Sequence, residues 1–174
     1  MAAEGELIDL VLTERWPAWR LREALEPVLP DGWRLVRPED VWLGGPPLAG
    51  RVAAADYRIM LAEAAPSSSG SRLALADALR AGAARLIGSG QLPRERLKGD
   101  RVVSYDLRPL LLDVRVASDG PPIVLTVRTR FHPELGTGRP EEVVAALAAA
   151  AGASLDIASI VRARVLLSDD LDGA

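Results

Sequence analysis

Apolar and polar positions repeat along this chain in three similar stretches, each reading as strand, helix, strand. The first opens on Glu6-Leu7-Ile8-Asp9-Leu10-Val11-Leu12. This run is apolar at nearly every position, as expected of a strand covered on one face and flanked by neighbours. A helix follows from Pro17, whose missing N–H has no partner in a first turn. Leu21, Ala24, Leu25 and Val28 then recur at helical spacing. Pro30-Asp31-Gly32 turns the chain into a second strand, Trp33–Val36. After the connector Leu43-Gly44-Gly45-Pro46-Pro47, a short helix around Leu48–Ala54 leads to the strand Tyr57–Leu61. Pro66–Gly70 reads as a polar turn with Ser71 as a helix cap. The helix over 72–87 places Leu73, Ala76, Leu79, Ala83 and Leu86 on one face, and Gly88-Ser89-Gly90 stops it. Two strand-like runs follow between Val102 and Val116, bent at Arg108-Pro109, where a proline belongs at an edge or bulge. The third stretch begins at Pro121-Pro122 with the strand Ile123–Phe131 and a polar loop, His132–Arg139. Pro140 then starts a helix with Glu141 and Glu142 in its favourable first turn. Val143, Val144, Leu147 and Ala151 form its apolar stripe, Gly152 ends it, and Ile160–Leu167 is the last strand.

Two such stretches complete a β-α-β-β-α-β ferredoxin-like sandwich, so three is one too many. The pattern predicts an α+β chain with a partial ferredoxin-like unit (β-α-β) over 1–47 and a ferredoxin-like domain over 48–168. An acidic tail over 169–174, carrying Asp169, Asp170 and Asp172, is expected to be disordered. The partial unit lacks a mate and leaves strand edges unpaired, which predicts a homodimer through it. Trp16, Trp19, Trp33 and Trp42 all fall in this unit, either as core or as a docking surface for the missing half.

Composition narrows the chemistry. Hydrophobic residues make up 49% but aromatics only 4%, so the core must be built from Leu, Val and Ala. The absence of cysteine excludes disulfides, thiol catalysis and iron–sulfur ligation by this chain. No run approaches the roughly 20 apolar residues of a membrane span, and no basic segment precedes an apolar one at the N-terminus. The expectation is a cytoplasmic protein without a membrane role. A net charge of −3 argues against a general nucleic-acid binder.

Period-two alternation assigns the sheet faces. Tyr57, Ile59 and Leu61 point inward, as do Ile123, Leu125, Val127 and Phe131, and Val161, Ala163, Val165 and Leu167. The opposite face then gathers Arg58, Arg128, Arg130, Arg162 and Arg164, with Arg115 as a sixth. Guanidinium forks suit phosphate oxygens, and RNA is the natural ligand for such a sheet. The usual stacking aromatics are missing, because Tyr57 points to the core. The other reading, a solvated or partner-covered face with Asp and Glu nearby to pair, is preferred, since charge runs are usually solvated.

Catalytic candidates are few. His132, the single histidine, has only the carboxylate of Glu134 beside it, too little for a general base or a metal site. Gly136-Thr137-Gly138-Arg139 before a helix resembles an anion-binding turn but lacks the glycine pattern and lysine of a phosphate loop. Ser67–Ser69 has no base in view. The expectation is no catalytic residue, no metal and no cofactor.

Several segments carry a family resemblance: Glu4–Leu10, Leu29-Pro30-Asp31-Gly32-Trp33, Leu48–Ile59, Ser104-Tyr105-Asp106-Leu107-Arg108-Pro109, and Arg139–Val143 through Ile160–Arg164. Their order and spacing resemble the radical-SAM-linked bacterial family catalogued as domain of unknown function 2344, over Glu4 to Leu167. The resemblance implies an accessory or substrate-presenting role beside a radical SAM enzyme, with RNA as a candidate substrate. Members of that family begin upstream, with a half-domain containing histidine and proline, so no site residue carries over from it.

Overall fold

The protein's structure, a computed structural model, describes residues 2–41, 44–62, 69–118 and 122–172. In chain order its elements are β1 (Ala2–Ala3), α1 (Ala18–Leu25), α2 (Leu48–Arg51), β2 (Val52–Leu61), α3 (Ser69–Gly88), β3 (Pro93–Lys98), β4 (Arg101–Asp106), β5 (Leu111–Ser118), β6 (Val124–His132), β7 (Gly136–Thr137), α4 (Pro140–Ala151), β8 (Ile157–Leu167) and α5 (Ser168–Asp172). Single 3-10 turns lie at Glu26–Val28 and Arg108–Leu110. Two compact units result, one of Met1–Leu7 with Val52–Ala174 and one of Ile8–Arg51.

Long β-branched and leucine-rich runs form the larger unit's sheet, in the order β1-β8-β2-β6-β5. The pairs β8–β2, β2–β6 and β6–β5 are antiparallel, and the short edge strand β1 runs parallel to β8. β7 folds back on β6, while β3 and β4 form a separate two-stranded ribbon. The core joins Ile59, Leu125 and Val127 of the sheet to Leu79 of α3 and to Val143 and Leu147 of α4, all shielded from solvent. Leucine and valine do this work, as the low aromatic content requires.

Two polar residues of the 104–109 segment fasten this core. Asp106 Oδ1 accepts the backbone N–H groups of Leu92 (2.7 Å) and Arg108 (2.9 Å). Arg108 donates to the carbonyls of Ile87 (2.8 Å), Ser89 (3.1 Å) and Leu111 (2.8 Å). A cation at the end of α3 satisfies carbonyls that the helix leaves free, so the bend at Arg108-Pro109 is a staple between α3, β4 and β5.

In the smaller unit the expected strands Glu6–Leu12 and Trp33–Val36 do not form. Two short strand runs have nothing to pair their outer edges, and an isolated pair is marginal in water. The unit is held by polar ties: Arg22 Nη2 donates to the Val36 carbonyl (3.1 Å) and the Leu48 N–H to Asp9 Oδ2 (2.8 Å). Arg20 lies over the Trp16 ring at 4.2 Å. No described residue between Ile8 and Arg51 is buried, so Trp19 and Trp33 are not core.

Other expectations shift as well. The acidic C-terminal run is the helical turn α5, because Asp170 accepts the Leu167 N–H (2.9 Å) and pairs with Arg164 (3.2 Å). α3 begins at Ser69, two residues before the expected cap at Ser71. Trp42, Leu43, Ser67, Ser68 and Pro121 lie outside the described residues. Among the described residues no helix is long and apolar enough to cross a membrane.

Candidate functional site

The sheet face opposite α3 and α4 brings together Arg58, Arg128, Arg130 and Arg164. Register places Asp56 between Arg128 on β6 and Arg164 on β8, and Arg58 opposite Thr126 and Val161. Arg162 does not join them. Between Asp56 and Tyr57 the pairing with β8 skips Ala163, so Arg162 stands opposite Tyr57 and shares its inward side. A β-bulge adds one residue to one strand and breaks strict alternation. Val161 correspondingly shares the side of Arg58, opposite to the alternation-based assignment.

Carboxylates meet four of the five arginines. Arg128 binds Asp56 through two N–O contacts of 2.7 and 3.0 Å. Arg162 binds Glu6 in the same forked way, both at 2.7 Å. Arg58 pairs with Glu4 at 2.6 Å and Arg164 with Asp170 at 3.2 Å. Arg115 pairs with Asp113 at 2.8 Å. The Arg128 and Arg162 guanidiniums are held even more firmly protonated than usual by hydrogen bonds to Asp56 and Glu6 respectively, against some desolvation. Arg130 differs, because its Nε is buried without an acceptor. Burial pushes the pKa of the Tyr57 phenol above its ordinary value, an effect that neighbouring Arg162 opposes in part.

Glu4 and Glu6 reach these partners because Gly5 lets the N-terminal segment press on the bulge. A Cβ at Gly5 would stand 2.8 Å from the Ala163 carbonyl oxygen. The fork between Glu6 and Arg162 therefore depends on glycine at one position and an extra residue at another.

The other candidates resolve into structural roles. His132 Nδ1 accepts the backbone N–H groups of Glu134 and Leu135, both at 3.2 Å, and so closes its own turn. The Gly138 N–H donates to the Arg130 carbonyl (3.1 Å) and its carbonyl accepts from Thr129 Oγ1 (2.9 Å). A Cβ at Gly138 would lie 2.8 Å from both the Leu110 carbonyl oxygen and Thr129 Cβ, so the glycine serves packing. A cleft of about 450 Å³ beside this turn is lined by Tyr57, Phe131, Arg139, Glu141 and Arg162 among others. Among the described residues no group of three or more metal-ligating side chains is placed to hold an ion.

Alternation of apolar residues passes over one surface, the hairpin β3–β4. Its strand Pro93–Lys98 is too polar to register as apolar alternation, although Gly99-Asp100 between two runs is a hairpin signal. Arg94, Arg96 and Arg101 stand on it without carboxylate partners among the described residues.

A family model described as "Uncharacterized protein conserved in bacteria (DUF2344)" matches residues 1–135. No curated protein and no solved structure matches the chain.

Proposed function

The chain belongs to the conserved bacterial family DUF2344, and from that premise we propose a non-catalytic binding module that docks on a partner enzyme. A radical SAM enzyme is the partner this reading names, in keeping with the family resemblance of the sequence. The observation that carries it is the smaller unit's surface. Nine large apolar side chains between Ile8 and Val41 are exposed among the described residues, including Ile8 at 64%, Val11 at 84%, Trp33 at 54% and Val36 at 66%. Exposed apolar patches of this kind mark interaction surfaces. The strand order β8-β2-β6-β5 with antiparallel neighbours supports a ferredoxin-like reading of the larger unit, with the β3–β4 hairpin inserted after its first helix.

Affinity purification of the endogenous protein from its source cells, read by mass spectrometry, tests the docking. Recovery of a radical SAM enzyme, lost in the variant Ile8→Glu with Val11→Glu, is the expected result. A wild-type protein that brings down no such enzyme overturns it. The same exposed run favours a second reading, self-association through this unit in the cytoplasm. Sedimentation showing a monomer at high concentration would exclude that second reading.

A further inference from the structure

The segment Ala2–Leu7 lies along the edge of β8 without an apolar anchor. None of its side chains is buried, and its strand β1 has only two residues, paired with Val161 and Arg162. The Glu4 N–H donates to the Arg162 carbonyl (2.9 Å). Two ion pairs add to this hold, Glu4 on Arg58 at 2.6 Å and the fork of Glu6 on Arg162. Arg58 stands on the outer sheet face and Arg162 on the side of Tyr57, so the segment grips β8 from both faces of the sheet. Gly5 crosses the edge between the two acids, against the Ala163 carbonyl.

A hold of this kind is weak. Exposed ion pairs contribute little to stability, and segments with few buried apolar contacts open first in local unfolding. Leu7, the last residue of the segment, is also the first of an apolar run in which Leu7, Ile8, Leu10, Val11 and Leu12 are all exposed. Apolar residues at nearly every position suit a strand covered on both faces, and no strand of the described residues flanks this run. A partner that encloses the run takes up Leu7 with it and draws the adjacent Glu6 away from Arg162. The edge of β8 needs a cover while the chain is free, because an unpaired edge is a template for wrong pairing.

We infer that Ala2–Leu7 is a releasable strap, which guards the edge of β8 in the free chain and is peeled from it by the partner that docks on Ile8–Leu12. The inference rests on the docking reading and supplies its regulation. Release leaves the Arg162 guanidinium without its carboxylate, on the wall of the cleft that exposed Arg139 also lines. Docking then works against the two ion pairs of the strap. By linkage, whatever weakens the strap strengthens docking, and whatever locks it opposes docking.

The chain has no cysteine, so Ala2→Cys with Val161→Cys, at two positions in register, locks the strap through a single disulfide. Pull-down from a dialysed lysate of the source cells, read by mass spectrometry for the radical SAM enzyme, compares this variant oxidised and reduced with the wild type. The oxidised form should recover about tenfold less enzyme, and reduction should restore the wild-type amount. Glu4→Gln with Glu6→Gln, which loosens the strap, should recover several times more. In the same Gln variant, hydrogen exchange of the full chain should quicken in peptides spanning Ala158–Arg164 and stay unchanged in α4. Equal recovery by the oxidised and reduced forms overturns the strap and leaves the docking reading standing. A wild-type chain that recovers no enzyme overturns the docking reading, and the coupling to it. Exchange in β8 that does not respond to the two Gln substitutions overturns the strap whether or not the enzyme is recovered.

Discussion

Between Ile8 and Arg51 no described side chain is buried, whereas between Val52 and Leu166 a continuous core runs from Ile59 through Leu79 and Leu125 to Leu147. Both regions carry the same strand–helix–strand plan in their apolar pattern. The difference lies in partners: β2 has β6 on one side and β8 on the other, while the run Glu6–Leu12 has neither. An apolar period therefore states what a segment could bury, and only a neighbouring strand or helix makes the burial happen. The unsatisfied region keeps its apolar surface available for something else.

The contrast is sharpest in stability. Leu147→Ala removes a side chain with no solvent exposure and should cost about 2–5 kcal/mol in urea unfolding. Trp33→Ala, at a site 54% exposed, should change stability by less than about 0.5 kcal/mol. Comparable losses at the two sites would mean that the smaller unit contributes to the folding transition as a core does, and would break the comparison. Next comes Gly138→Ala, which drives a Cβ into the Leu110 carbonyl and Thr129. Overpacking there should cost about 1–3 kcal/mol. An unchanged midpoint would show that the turn between β7 and α4 yields where the core does not.

The smallest effect appears at high pH. The folded state holds the Tyr57 proton more tightly than the unfolded chain does, because burial penalises the phenolate. Its contribution to stability is complete below about pH 10, the unfolded value, and is lost as pH rises through the folded value. Ultraviolet titration should show one phenol ionising later than normal, and Tyr57→Phe should remove both that step and its share of the alkaline destabilisation. A normal titration would place Tyr57 in contact with water.

Strand alternation was legible wherever one face is sealed. The inward positions Tyr57, Ile59, Leu61, Leu125 and Val127 are buried as their period indicates. The helix face through Ala76, Leu79, Ala83 and Leu86 follows the same logic, although Leu73 at its start is 55% exposed. Alternation failed on β8, where the bulge at Ala163 carries no residue signature and moves Arg162 to the side of Tyr57. It failed again on β3, where Arg94, Glu95 and Arg96 offer no apolar period to read. The pairing of Arg128 with Asp56 and of Arg162 with Glu6 depends on registers across β2, β6, β8 and the N-terminal segment. A linear pattern lists those charges but does not say which of them meet.

The bulge in β8 also bears on how this strand tolerates changes in length. Ala163 is a spare residue in the ladder, since Arg162 is matched to Tyr57 and Arg164 to Asp56 on either side of it. A one-residue deletion at that point leaves both matches in place and relieves the crowding that holds position 5 to glycine. A deletion further along, at Val165, is absorbed only by drawing Ala163 into the ladder, which sets Arg164 opposite Ala55, on the inward side and away from Asp170. Among close variants of this chain, gaps in β8 should therefore cluster at Ala163, and side chains larger than hydrogen at position 5 should accompany them.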